Sequence, residues 1–183
     1  MFARLLVCLL VFSGFSLAEG KGDGWIDFDE AALRAQTPRS REARAFWEHA
    51  GTGAYPGDWP RTARELRLAG FNMILPNMLW GGAAHFPSEV LPPSAIHRRH
   101  GDQIDQCVRA AKQHGLEVHV WKVAWYLGHL APTDFVAKLD AAGRAQVSVR
   151  GKPKDWLCPS HPENFKLELD SMLEVARKYP IDG

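Results

Sequence analysis

The chain has 183 residues, of which 46% are hydrophobic and 23% are charged. Its 22 lysine and arginine side chains nearly balance its 21 aspartates and glutamates, for a net charge of +1. This balance argues against a nucleic-acid-binding protein, which would be clearly basic, and the apolar content argues against a disordered chain. The length suits one domain, but it falls short of the roughly 250 residues usual for a complete (β/α)8 barrel.

Residues 1–18 have the pattern of a secretory signal peptide. Arg4 supplies positive charge, residues 5–12 form an apolar run, and residues 16–18 (SLA) place small side chains where signal peptidase cleaves. The apolar run is shorter than the roughly 20 residues of a transmembrane helix. We therefore predict cleavage after Ala18, export to the periplasm or the outside of the cell, and no stable membrane span afterwards. An uncleaved anchor is the alternative.

Residues 19–41 are polar, and after them apolar runs alternate with amphipathic helical patterns. The predicted strands are 43–49, 71–78 and 116–125, and the predicted helices are 61–69, 102–114, 133–142 and 164–178, with a short extended piece at 146–149. Alternating strands and helices predict βαβ units and a parallel sheet. Residues 179–183 resemble the approach to a fourth strand, so we expect this sequence to be the N-terminal part of a longer protein.

Several residues mark the expected helix ends. Asp58 precedes the first helix and is a candidate N-cap, while Gly70 and Gly115 follow the first and second helices and suit their C-terminal caps. His161 lies just before Pro162, which favours the first turn of a helix. We therefore expect His161 to serve helix entry in preference to ligand binding.

Cys107 and Cys158 would remain in the mature chain. They could pair in an oxidising compartment, although two unpaired thiols are equally expected. Their spacing does not resemble a metal-binding knuckle. His97 and His100 lie three residues apart, as in a helical metal site, but the arginines between them disfavour a cation. We predict no metal and no cofactor.

Five segments form an ordered set along the chain: 55–60 (YPGDWP), 70–77 (GFNMILPN), 115–122 (GLEVHVWK), 156–164 (WLCPSHPEN) and 177–183 (RKYPIDG). Together they resemble glycosyl-hydrolase-like family 10, a family of secreted bacterial proteins distinct from the xylanase family that shares the number. The resemblance covers residues 43–183. It implies a (β/α)8 TIM barrel, of which residues 42–183 would hold strands one to three and the start of strand four.

The resemblance also implies hydrolysis of glycosidic bonds in a poly- or oligosaccharide by carboxylate acid/base catalysis. In the family, an aromatic–Asp–Tyr stretch follows the final Asp-Gly and is the presumed acidic centre, which would lie beyond Gly183. We therefore expect the chain alone to be inactive. The alternatives are an exported barrel that binds carbohydrate without cleaving it, and a small α/β binding module. The oligomeric state is left open.

Functional side chains of such barrels lie at the carboxyl ends of the strands. A sugar site combines flat aromatic rings, which pack on apolar CH faces, with side chains that hydrogen-bond hydroxyl groups. The candidates chosen by these two rules are Asn77, Trp80, His119, Trp121, Lys122 and Trp125. As alternatives, each tryptophan could serve packing, His119 could bond a neighbouring strand inside the barrel, and Lys122 could point to the other face or the rim.

Glycoside hydrolysis normally requires two carboxyl groups. We considered five acids, each of which has another plausible role at a strand start, a helix cap or a solvated loop: Asp58, Glu89, Glu117, Asp155 and Asp182. The catalytic residues are therefore unknown from this sequence.

Overall fold

The computed structural model describes residues 42–128 and 131–183. The predicted signal peptide and polar lead-in lie outside these ranges. The described residues form a mixed α/β fold. Its strands are β1 (Ala45–Glu48), β2 (Met73–Trp80), β3 (Ala83–Ala84), β4 (Glu117–Val118), β5 (Trp121–Lys122), β6 (Ala145–Val147) and β7 (Pro153–Leu157), and its helices are α1 (Trp59–Leu68), α2 (Ala95–His100), α3 (Gln103–Gln113), α4 (Thr133–Ala141) and α5 (Pro162–Lys178).

The strand β2 is the centre of the main sheet. It pairs in parallel with β1 on one side and with β4 and β5 on the other, while β3 folds back antiparallel to its end. The Asp182 amide donates to the Val118 carbonyl (2.9 Å), and the Val120 amide donates to the Gly183 carbonyl (2.8 Å). The chain therefore runs alongside β4 at the predicted start of a fourth strand. The described strands do not close into a barrel.

One face of this sheet is covered by α1 and α3. Both helices carry apolar residues at helical spacing, and the core contains Trp59, Ala63, Leu66, Ile74, Met78, Ile104, Cys107, Val108, Ala111 and Val118. A smaller core lies under the β6–β7 hairpin, where Leu127, Leu139 and Leu157 are buried together. Cys107 and Cys158 are both free thiols.

The helix ends agree with the sequence analysis. An oxygen of the Asp58 side chain accepts a hydrogen bond from the Arg61 amide (3.0 Å) and caps α1. Gly70 and Gly115 take φ values of +89° and +64° just after α1 and α3, the left-handed conformation that glycine adopts most readily. His161 is the N-cap residue of α5, although its side chain makes no capping bond.

Two predictions about regular structure were wrong. The predicted strand 116–125 is interrupted between β4 and β5, and the register of β5 on β2 shifts between Asn77 and Leu79. The predicted long loop after β2 contains β3 and α2. Elements of two and six residues are too short to produce a periodic hydrophobic signal, so the sequence pattern could not reveal them.

Candidate functional site

The sheet face opposite α1 and α3 carries the candidate site. Ile74 and Val118 pack in the helix-covered core. Because successive side chains of a strand point to opposite faces, Leu75 and His119 point to the other face, which we call the open face. Trp47 of β1 pairs with Leu75 and is 55% exposed. The open face therefore has a large aromatic side chain accessible to solvent.

Three rings meet on the open face and form what we call the ring cluster: Trp47, His49 and Trp121. The centroid of the Trp121 ring lies 5.1 Å from that of Trp47 and 4.8 Å from that of His49, with interplanar angles of 80° and 90°. Such edge-to-face contacts suit the charge distribution of aromatic rings. Since β1 and β5 flank β2, the ring cluster spans the central strand near its carboxyl end.

Asn77 lies opposite Trp121 in the β2–β5 register. It is 2% exposed, and its Oδ1 atom has no hydrogen-bond partner among the described residues. Gly51 closes over this region with φ +67°, and a Cβ atom at Gly51 would lie 2.3 Å from the Asn77 carbonyl oxygen. A buried amide oxygen without a partner is costly, so Asn77 has an acceptor that a hydroxyl group or a water could satisfy.

His119 lies on the open face beside Glu117. Its Nε2 atom is 3.2 Å from Glu117 Oε2, and the side chains are 32% and 34% exposed. A Cβ atom at Gly183 would lie 2.4 Å from His119 Nδ1, so the imidazole packs where any larger residue at 183 would collide. The pair Glu117–His119 therefore places polar atoms on the open face next to residues 182–183.

Lys122 lies with α5 and apart from the ring cluster. Its Nζ atom is 3.1 Å from Glu168 Oε2, and the two side chains are 8% and 13% exposed. Burial lowers the pKa of Lys122, and the neighbouring Glu168 carboxylate opposes that shift. The two side chains therefore form a buried ion pair between β5 and α5.

The other two candidate tryptophans occupy different surroundings. Trp80 ends β2, pairs with Ala83 of β3 and is half-buried. Trp125 packs against the small core that includes Leu127 and takes φ +67°, a strained conformation for a bulky residue. The structure therefore places Asn77, His119 and Trp121 on the open face, whereas Lys122 and Trp125 pack elsewhere.

Sequence analysis missed the contribution of β1. Trp47 and His49 belong to the first predicted strand, and His49 is its last residue, so the strand-end rule could have found it. Glu48 was also absent from the acids considered. Its side chain is 5% exposed and accepts hydrogen bonds from the amides of Ala50 (2.9 Å) and Gly51 (2.5 Å), so it holds the loop that follows β1.

A buried histidine lies next to this loop. His85 is fully buried, its Nδ1 atom is 2.7 Å from Ser94 Oγ, and its Nε2 atom has no partner among the described residues. Burial lowers the pKa of His85 from 6.5 to about 4, and His97 nearby adds to that shift. A Cβ atom at Gly51 would lie 2.3 Å from the His85 ring. The uncharged imidazole therefore packs directly against the backbone of the loop that follows β1.

In the part of the chain that the structure describes, no three histidine, cysteine, aspartate or glutamate side chains cluster as metal ligands. His97 and His100 lie in α2. Within the same residues, no helix is long and apolar enough to cross a membrane.

A scan against protein-family models finds no match to this chain. A search of curated proteins also finds no matching protein.

Proposed function

We propose that this chain belongs to an exported glycoside hydrolase, and that its parallel strands form part of a (β/α)8 barrel that binds a poly- or oligosaccharide. The observation that carries the proposal is the ring cluster at the carboxyl ends of β1 and β5, where Trp121 contacts both Trp47 and His49. Catalytic and binding groups of such barrels lie at these strand ends. The resemblance of five segments to glycosyl-hydrolase-like family 10 agrees with this placement.

The chemistry of the open face suits a sugar. Trp47 is more than half exposed and can pack against the apolar CH face of a pyranose ring. The free Oδ1 atom of Asn77 can accept a hydrogen bond from a hydroxyl group once the ring cluster gives access to it. His119 provides a ring nitrogen that can exchange its Glu117 contact for a sugar hydroxyl. Ligand sites combine apolar walls and a few polar groups in this way.

Hydrolysis requires a proton donor and a second carboxylate. Glu48 bonds two loop amides and Glu117 bonds His119, so we assign neither as a catalytic residue. Because these two carboxylates are already engaged, carbohydrate binding without cleavage is the second candidate function. Both candidates require the ring cluster to contact sugar, and only the first requires bond cleavage.

The test measures binding of a panel of neutral and acidic oligosaccharides to the full chain, and release of reducing ends from the same panel. We expect at least one oligosaccharide to bind, and Trp121→Ala to weaken its affinity about tenfold, a loss of roughly 1.4 kcal/mol. Phe165→Ala is the matched control, because Phe165 is an exposed ring on α5, and its affinity should equal that of the wild type.

Two outcomes support the proposal to different depths. Cleavage of a bound oligosaccharide supports the hydrolase. Binding without new reducing ends supports a carbohydrate site on the open face and fits both candidates, because the resemblance places the presumed acidic centre outside this chain. If no oligosaccharide in the panel binds, or if Trp121→Ala binds as well as Phe165→Ala, the open face is not a sugar site and the proposal fails.

A further inference from the structure

The β6–β7 hairpin projects an unusual tip. The Gly151 amide donates to the Ser148 carbonyl (2.9 Å), which closes a turn with Val149 and Arg150 at its two central positions. Gly151 takes φ +72°, as the residue after a type I turn does in tight hairpins. The side chains of Val149 and Arg150 therefore point away from the fold.

Three apolar side chains of this hairpin are exposed. Val149 is fully exposed, Val147 is 64% exposed and Trp156 is 43% exposed. Val147 and Val149 lie at the tip, and Trp156 lies behind it on β7, where its ring is held against Tyr126 with centroids 5.0 Å apart. Exposed apolar side chains on a projecting hairpin suit a surface that meets another apolar phase.

The same hairpin carries a local positive charge. Residues 146–157 contain Arg150, Lys152 and Lys154 against a single acid, Asp155. The structure assigns none of these three cations an ion pair with a described residue. Because side chains two apart on a strand share a face, Lys154 lies on the same face as Trp156. The hairpin therefore combines aliphatic side chains, an aromatic ring and a set of free cations.

We infer that this hairpin docks on the surface of an anionic lipid bilayer. The valines would enter the boundary between headgroups and acyl chains, Trp156 would lie at the headgroup level that tryptophan favours, and the three cations would meet lipid phosphates. A soluble polyanion would use the cations but would gain nothing from Val147 and Val149. The inference does not depend on the proposed function.

The test measures partitioning of the full chain to vesicles of phosphatidylcholine with and without phosphatidylglycerol. We expect a preference for the anionic vesicles. The double variant Val147→Ser/Val149→Ser should bind them about tenfold more weakly, because it removes methyl groups that the bilayer would bury. Lys152→Gln/Lys154→Gln should lose about tenfold or more, and its preference for the anionic vesicles should shrink to what Arg150 alone supports.

Matched controls come from α1, where Arg67 and Leu68 are exposed. Leu68→Ser and Arg67→Gln remove an apolar and a basic side chain from another surface and should bind as the wild type does. All variants share the same residues 1–41, so any vesicle binding by that segment is common to them. Since every substituted side chain is exposed, the variants should keep the melting temperature of the wild type within a few degrees.

A local probe gives a second, independent measurement. A polarity-sensitive fluorophore attached through Val149→Cys, with Cys8 and Cys158 replaced by serine, should shift to the blue on anionic vesicles, whereas the same label at Leu68→Cys should not. An unshifted label at 149 would overturn the inference even if the chain binds vesicles through another region.

A third measurement tests a soluble polyanion, with dextran sulfate as the probe. The hairpin would be assigned to a soluble polyanion if the valine variant binds vesicles as well as the wild type does and only the lysine variant loses dextran-sulfate binding.

Discussion

The helices α3 and α5 both have amphipathic sequences, but α5 leaves more of its apolar side chains exposed. In α3 the apolar positions face the sheet, and Ile104 and Cys107 are fully buried. In α5 Val175 is buried in the same core, whereas Phe165 and Leu169 are 59% and 46% exposed. The buried side of α5 also includes Asn164. A periodic apolar pattern therefore identified both helices, but in α5 part of that pattern faces solvent.

Polar contacts explain the orientation of α5. Asn164 Nδ2 donates to the carbonyls of Arg144 (2.8 Å) and Cys158 (2.9 Å), and its Oδ1 atom accepts from Arg144 Nε (2.7 Å). One turn further along, Glu168 pairs with the buried Lys122. Buried polar groups without partners are costly, so these contacts favour the side of α5 that satisfies them and leave Phe165 and Leu169 exposed.

The largest expected effect contrasts the two apolar faces. Ile104→Ala should lower the free energy of unfolding by about 3–4 kcal/mol, because it leaves a cavity in a packed core. Phe165→Ala should change it by less than about 0.5 kcal/mol, as exposed positions do. Urea unfolding followed by circular dichroism measures both. An equal loss in the two variants would mean that the stripe on α5 is covered after all.

The second prediction concerns the Lys122–Glu168 pair. Glu168→Gln should cost about 2–3 kcal/mol, because it leaves a buried ammonium group without its counter-charge. The double variant Lys122→Met/Glu168→Leu should return to within about 1 kcal/mol of the wild type, since it removes both charges. The measurement is a double-mutant cycle of Lys122→Met, Glu168→Leu and their double variant, followed by urea unfolding. Additive losses in the two single variants and the double variant would show that the pair does not orient α5.

That pair also predicts a pH dependence. Burial lowers the pKa of Lys122 below its ordinary value of 10.5, so at alkaline pH the unfolded chain binds a proton that the folded chain has released. Stability contributed by this site should therefore rise as the pH increases towards 10.5. The rise of stability with pH should be steeper in Glu168→Gln, because no carboxylate then opposes the lowering of the Lys122 pKa.

The smallest expected effect concerns the buried His85, whose carbonyl oxygen accepts a hydrogen bond from the Gln103 amide at the start of α3 (3.0 Å). The pKa of His85 is lowered from 6.5 to about 4, so between these values the unfolded chain binds more protons than the folded chain. Stability should fall by about 2 kcal/mol as the pH drops from 6.5 to 5. In His85→Gln this loss of stability between pH 6.5 and 5 should be absent. If the variant loses as much stability as the wild type over that range, His85 is not the group that titrates.

Local sequence signals predicted most of the regular structure. The cap Asp58, the glycines after α1 and α3, and the alternation of strands with helices depend on neighbouring residues, so they could be derived without the fold. The face of His119 also followed from the alternation around Val118. These features need only backbone sterics and a repeat of two or 3.6 residues.

Part of the candidate site depended on which strands become neighbours. Trp121 meets Trp47 and His49 only because β1 and β5 flank β2, and the two rings of β1 come from more than 70 residues earlier in the sequence. The partner of Lys122 was equally hidden, since Glu168 lies on a helix far from Lys122 in the sequence. Non-local pairs of this kind carry no signature in sequence spacing.

The sequence by itself determined the order of the longer strands and helices, the cap of α1 and the alternation that separates the open face from the helix-covered face, because each follows from local backbone geometry and side-chain periodicity. Only the tertiary structure decided the composition of the ring cluster, the pairing of Lys122 with Glu168 and the side of α5 that is buried. Those outcomes depend on desolvation and on partners distant in the chain, which are settled when the whole sheet packs.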